Sequence, residues 1–525
     1  RGRLGVDLPL GNPMTSRAPA VLLGLDAADL GLIQRLGAGG TLPNIFGLLS
    51  RGCTGVIRGE AERFAGGVWP TFYTGQPVSR HGVYHNKLWR QEHMRCEIAS
   101  AEWCSEPPFW ERLRGSGRRV AVVDVPMTVA RPTPMDGISL AGWGTHDVIA
   151  RGSWPPTLWR EIETSLGPSA MPPERFGSQT PHSLARLAHE LRVATSQIAE
   201  IGARLYRREA WDLFLLVFGA THRGGHYLRD LSQVNTRAIS AGHRRALGEA
   251  LGEVYRAVDA GVGRILELVP PNTRVLVFAL HGMGPNTTWA DRCAEILARI
   301  MSGRPTGAPP RRGLIYAAKQ AIPWQIARAV TTRIPPELQA RLVPIWSARM
   351  FDWGTTRAFP LPMDHAGYVR INLRGREPRG IVAPDAYNAL CDEIAEGFLG
   401  FRDAVSGQPI VRQVHRLDDL APDGAPARDR LPDLVIEWAG VPTASAPVIR
   451  SERLGELNWR SPRLPSGRAG NHEPDGWFVA TGPGIEAGAA AATHPIVDLV
   501  PTLYRWLDVE PDSAYPGQPI PELAG

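Results

Sequence analysis

The chain has 525 residues, a formal net charge of +6, 43% hydrophobic and 21% charged residues, a balance near the globular average that excludes disordered, collagen-like and coiled-coil chains. All of its basic residues except Lys87 and Lys319 are arginine, and they fall in scattered short pairs such as Arg207-Arg208 and Arg311-Arg312, unlike the clustered stripe of a nucleic-acid-binding face. Five cysteines without CxxC spacing argue against a disulfide framework or a thiolate zinc site, and no apolar run approaches the roughly 18 residues that cross a bilayer, so the expectation is a cytoplasmic protein with neither nucleic acid nor membrane as partner.

Residues 1–13 precede Met14, lack an apolar secretory segment and read as a leader, leaving 14–525 as one catalytic domain. Val21 to Leu25 is a short apolar run ending in Asp26, and Ala27 to Leu36 follows with helical spacing, which predicts a buried strand entering a helix. The pattern recurs. A helix near Phe109 to Arg114 precedes a strand over 119–125, a long helix over 183–208 precedes a strand over 212–218, and a helix over 244–269 precedes a strand over 274–280. Strands alternating with helices predict an α/β fold with a largely parallel central sheet flanked by helices on both faces. The rhythm breaks at the Gly-, Pro- and Arg-rich stretch 303–314, and the region to about 362 reads as an inserted cap. Order resumes with a strand over 368–373, a helix over 385–398, a polar loop over 419–430 and a strand over 434–438. No internal repeat is present.

Parallel sheets place their chemistry just beyond the carboxyl ends of the strands. Those ends hold Asp26, then His222 and His226, then His281, and His472 follows in a glycine-flanked loop before Trp477. A carboxylate among several imidazoles is what a catalytic divalent ion requires, with zinc first among the candidates and manganese or iron behind it.

Several motifs resemble the alkaline phosphatase superfamily, and within it the type I phosphodiesterase and nucleotide pyrophosphatase branch. They are Leu23-Gly-Leu-Asp26-Ala-Ala-Asp29 with Thr41-Leu-Pro-Asn44, Thr74-Gly75-x-Pro77-x-x-x-His81-Gly82, His281-Gly282-Met283-Gly284, His472-x-Pro474-Asp475-Gly476 with Thr481-Gly-Pro-Gly484, and Asp498-Leu-Val-Pro501-Thr502-Leu503. They run in family order over about residues 20–510. The resemblance implies two metals, usually zinc, that clamp a phosphate or sulfate ester, one activating the nucleophile and the other steadying the transferred group. It also implies that His81 fixes a turn beneath the site.

The sequence departs from that pattern in three places. His222 stands where the family usually has aspartate, so one site becomes His222, His226 and His472 with a fourth position open. Leu280 replaces the aspartate before His281, leaving the other site with Asp26 and His281 and a weaker hold on its ion. The position of the family nucleophile, nine residues before Thr74, is Ala65, which has no hydroxyl. Thr71 is the nearest candidate nucleophile, and attack by an activated water is the alternative, with Thr71 then packing its helix. Arg63 and Arg223 are candidate clamps for an anionic group, and Trp69 and Trp89 candidate walls of its pocket. His85, His93, His365 and His494 fall outside the motifs and read as ordinary polar residues.

The leading reading is therefore a metal-dependent hydrolase or group-transfer enzyme acting on a small anionic phosphoester, phosphodiester or sulfate-type ester, and it allows a homo-oligomer. The alternatives are a metal-dependent tailoring transferase of secondary metabolism and a catalytically silent relative that binds a ligand through the same pocket.

Overall fold

The computed structural model describes residues 18–524 apart from 101–102, 105, 129–132, 146–150, 173–176, 178, 237–238, 304–350, 443–445 and 460–462. The leader and most of the expected cap therefore lie outside the described residues. The first strand, β1 (Ala20–Leu25), is buried throughout, and its alternate side chains feed different cores: Val21, Leu23 and Leu25 enter one apolar cluster, Ala20 and Leu22 another. A strand covered on both faces belongs at the centre of a sheet.

In chain order come α1 (Leu30–Ala38), β2 (Cys53–Arg58), α2 (Val68–Thr74), β3 (Val120–Val123), β4 (Gly137–Ala141), β5 (Gly152–Trp154), α3 (Pro181–Tyr206), β6 (Leu213–Phe218), α4 (Ala220–Leu228), α5 (Ala241–Leu266), β7 (Arg274–Ala279) and β8 (Gly282–Pro285). After them follow β9 (Ala358–Pro360), β10 (Gly367–Ile371), α6 (Tyr387–Leu399), β11 (Val411–Arg416), β12 (Leu434–Trp438), β13 (Gly470–Glu473), β14 (Asp475–Thr481), β15 (Ala490–Pro495) and α7 (Leu499–Leu507). Nine of the strands form the central sheet in the order β15-β2-β14-β7-β1-β6-β3-β4-β5. It is largely parallel, as expected, with β14 antiparallel to both β2 and β7, and β5 antiparallel to β4. One face is covered by α3 and α5, the other by α2 and α7. A smaller antiparallel sheet, β9-β10-β12-β11, packs with α6 around a third cluster.

Where element ends differ from expectation, a capping or backbone device decides them. The first helix begins at Leu30 instead of Ala27 because Ala27 turns the chain at φ 54° and the Asp29 side chain accepts the Leu32 N–H as N-cap. α3 starts at Pro181, earlier than predicted, through a capping box between Thr180 and Ser183, and α5 starts at Ala241 under the Ser240 cap. β3 stops at Val123 because Asp124 takes φ 62° and turns its carboxylate onto the backbone N–H groups of Trp143 and Gly144.

Candidate metal centre

The first two elements of the centre follow directly from the parallel sheet. Asp26 leaves the carboxyl end of β1 with its N–H donated to Phe218 O, and α4 leaves the end of the neighbouring β6. His222 and His226 sit four residues apart on α4, so they share one face of the helix. All nine residues of α4 are buried, and glycine makes that possible: a Cβ on Gly225 would meet Met283 Cγ at 2.5 Å, and one on Gly470 would meet Gly225 O at 2.2 Å. This close approach seats β13 against α4, where Ala469 N–H donates to His226 O at 2.7 Å. β13 pairs antiparallel with β8, Met283 opposite His472, which brings His472 beside His281 with ring centroids 4.6 Å apart.

Five of the residues singled out in the sequence thus converge: Asp26, His222, His226, His281 and His472, all buried. Among the described residues, His222, His226 and His472 are the one group of three potential ligands whose donor atoms lie within 4.8 Å of one another. His222 Nε2 is 2.7 Å from His472 Nε2 and 2.9 Å from His226 Nε2. The other ring nitrogens define the protonation. His226 Nδ1 lies 2.9 Å from Gly470 O, a carbonyl that only accepts, and His222 Nδ1 lies 3.1 Å from Asp26 Oδ2. Both Nδ1 atoms therefore carry a proton, donated to the carbonyl by His226 and to the carboxylate by His222. Burial, with the neighbouring Arg468 charge, holds His226 well below the usual histidine range, and burial with the adjacent imidazoles does the same for His472. Three buried imidazoles whose Nε2 atoms converge on one point are a donor set that fits a divalent ion. Nδ1 donation to a carboxylate or carbonyl is also how metal-ligating histidines are oriented.

The second pair fits an ion poorly. Asp26 Oδ1 accepts the indole N–H of Trp69 at 2.8 Å, Oδ2 faces His222, and His281 Nε2 stands 3.7 Å from Oδ1. Leu280 is buried in the apolar cluster beneath α2 and supplies no oxygen.

The remaining candidates point elsewhere. Thr71 is 7% exposed and its Oγ1 lies 3.1 Å from His81 Nε2. His81 Nδ1 accepts the Val83 N–H, so the proton is on Nε2 and His81 donates to Thr71, which makes it no base for that hydroxyl. Burial and then the Arg430 charge push His81 down to about 3, so it is neutral, and it fixes the turn after α2 as expected. Arg63 faces Glu60 and Glu62, and Arg223 donates to Pro172 O. Trp69 borders the centre, whereas Trp89 donates to Glu377 and packs on Trp353 and Phe359.

Sequence reasoning missed a polar group next to the histidines. Asp364 pairs with His85 at 2.9 Å and with Arg468 at 3.0 Å, and the His365 ring lies 6.3 Å from that of His472. Burial pushes His365 down to about 4. The one signal in the sequence was the Asp364-His365 dipeptide ahead of a predicted strand. Asp364, Arg468 and Asn471 also line a cavity of about 280 Å³ with Asn286, Thr288 and Ser466.

The family model for type I phosphodiesterase / nucleotide pyrophosphatase matches residues 20–440. The chain belongs to that family. Phosphoester hydrolysis is the class of reaction that membership brings, and the matched span contains Asp26, His222, His226 and His281. Structures similar to this family member include murine ectonucleotide pyrophosphatase / phosphodiesterase 5, at 11% identity over 95% of this chain and 97% of that one with TM-score 0.48, and its human counterpart at 11%, 95%, 97% and 0.47. Phosphonoacetate hydrolase from Sinorhizobium meliloti 1021, in complex with phosphonoformate, is similar at 14% identity over 88% and 90% of the two chains with TM-score 0.46. No curated protein sequence matches the chain. Among the described residues, no helix is long and apolar enough to cross a membrane.

Proposed function

We propose that this protein is a divalent-metal-dependent hydrolase of small anionic phosphoesters, phosphodiesters foremost, with zinc as the ion and His222, His226 and His472 as its ligands. The observation behind this reading is the convergence of three imidazole Nε2 atoms at 2.7 and 2.9 Å while His222 and His226 are oriented from behind through Nδ1. An ion held there supplies Lewis acidity toward an anionic ester oxygen. The residues do the rest. Asp26 and Gly470 O hold His222 and His226 in the ligating tautomer, burial keeps His226 and His472 neutral, and the α4–β13 contact keeps the three rings in register.

Ala65 is only 8% exposed and offers no hydroxyl, so the attacking oxygen in this reading comes from water and not from a side chain. Thr71 anchors α2 through His81. Arg63 and Arg223, engaged with Glu60, Glu62 and Pro172, are not assigned to the substrate.

Elemental mass spectrometry on protein purified without chelator or histidine tag, beside hydrolysis of bis(4-nitrophenyl) phosphate, tests the proposal. His222→Ala is expected to lose its ion and more than ~100-fold of turnover, beyond what loss of an outer hydrogen-bond partner alone causes. Thr71→Val is expected to keep both within a few-fold. A wild-type chain that binds no added zinc, manganese or iron would overturn the reading in favour of a silent ligand-binding relative.

A further inference from the structure

We infer that the centre holds a single divalent ion and that Asp26, clamped between the Trp69 indole and His222 Nδ1, is a positioning residue for His222 and not a ligand of a second ion. The inference rests on the three-histidine reading above and concerns what the rest of the constellation does.

Asp26 is fully buried, and both of its oxygens have donors: Trp69 Nε1–H at 2.8 Å on Oδ1 and His222 Nδ1–H at 3.1 Å on Oδ2. Each oxygen keeps a second lone pair, so the two hydrogen bonds do not themselves exclude a cation; what they fix is the direction of the carboxylate, toward Trp69 and His222. Trp69 is not free to swing away. It is 3% exposed, stacks edge-on against Phe72 with centroids 5.8 Å apart, and packs on Phe278 at 6.1 Å. A Cβ on Gly24 would meet Trp69 Cη2 at 3.1 Å, so the indole lies directly on β1 below the carboxylate. The positions at which the family resemblance places the remaining ligands of a second site are Ala65 and Leu280, neither of which has a side-chain donor atom. His281 would be the sole other ligand, and one imidazole with a shared carboxylate falls short of the three protein ligands that catalytic zinc sites keep.

The same geometry gives Asp26 a different task. A carboxylate accepting the Nδ1 proton of a ligating histidine fixes its tautomer and raises its basicity, and loss of such a partner typically weakens metal binding 10- to 100-fold. The Trp69 bond in turn holds the carboxylate plane toward His222.

The test uses the full chain loaded with excess Co²⁺ or Zn²⁺, desalted and measured by elemental mass spectrometry, with the visible spectrum of the Co²⁺ form as a second readout. One ion per wild-type chain is expected. Asp26→Asn should still bind one, with Kd raised about 10- to 100-fold and a shifted Co²⁺ spectrum. Trp69→Phe, which keeps the ring and removes the donor, should shift the spectrum in the same direction and weaken binding by a smaller factor. Two ions per wild-type chain, falling to one in Asp26→Asn with the remaining affinity unchanged, would overturn this inference while leaving the three-histidine site standing. An unchanged Kd and spectrum in both variants would likewise overturn the positioning role, and a wild-type chain without any ion would overturn the proposed function itself.

Discussion

Two regions of this molecule bury polar groups, and they do so in opposite ways. Around Arg370 every charge has its partner within the chain. The guanidinium, fully buried, donates to Glu377 at 2.8 Å, to Leu431 O at 2.6 Å and to Gln91 Oε1 at 3.0 Å. Glu377 also accepts from Trp89 and Arg376, and Asp433 takes two bonds from Arg376, one from Tyr387 and the Ile371 N–H. Burial alone would raise the Asp433 carboxyl, but the Arg376 charge and its hydrogen bonds outweigh that and hold it below the usual range. At the histidine centre His222 and His226 are held from behind through Nδ1, His472 Nδ1 has no hydrogen-bond partner among the described residues, and the three Nε2 atoms face one another. A buried cluster that completes itself is architecture. One that leaves ring nitrogens converging on a point has the donor set of a cation site.

That contrast can be broken at either end. The largest expected effect lies in the closed network: Glu377→Gln strands the buried Arg370 charge and should cost about 3–5 kcal/mol in urea unfolding, while Arg370→Met combined with Glu377→Leu should recover much of the loss. The open cluster should respond instead to its ion. Addition of zinc at about 100 times Kd should stabilise the wild-type chain by about 2.7 kcal/mol and leave His222→Ala unaffected, measured as a shift in urea midpoint with and without chelator. The reverse pattern, zinc sensitivity kept in His222→Ala, would mean that the ion binds elsewhere.

A third buried group sharpens the comparison because it belongs to neither. His81 stays neutral in the fold down to about 3, whereas in the unfolded chain it takes up a proton near its ordinary value of 6.5. The unfolded state therefore binds more protons between those values, so this contribution is intact above 6.5 and is lost as pH falls toward 3. At about pH 5.5 the loss is about 1.4 kcal/mol, and His81→Asn, which does not titrate, should flatten the stability profile by that amount. The smallest effect is expected at the surface, where Arg450 and Glu456 form a solvent-exposed pair. Glu456→Gln should change stability by less than about 0.5 kcal/mol and metal content not at all.

The framework was legible because its signals are local. The run Val21 to Leu25 ending in Asp26 could be read as a buried strand delivering a carboxylate, and His222 and His226 as one face of the helix after the next parallel strand. The glycine-flanked His472 was recognisable as a partner through its motif. Element ends shifted by a few residues where Ala27 and Asp124 take left-handed conformations, which no periodicity records. The grouping of Asp364, His85 and Arg468 was not legible for another reason: they are far apart in the chain, and nothing in their individual surroundings says that they will pair.

The order of βα units, the burial of the strands on both faces and the identity of the five converging residues were thus determined by the sequence itself, since hydrophobic period and strand-end placement depend on neighbouring residues only. How each of the five is held was decided by tertiary structure. Asp26 reads in the chain as a metal ligand. In the fold it is a carboxylate held between Trp69 and His222, because β1, α2 and α4 meet at one point and hydrogen-bond direction exists only once they have met.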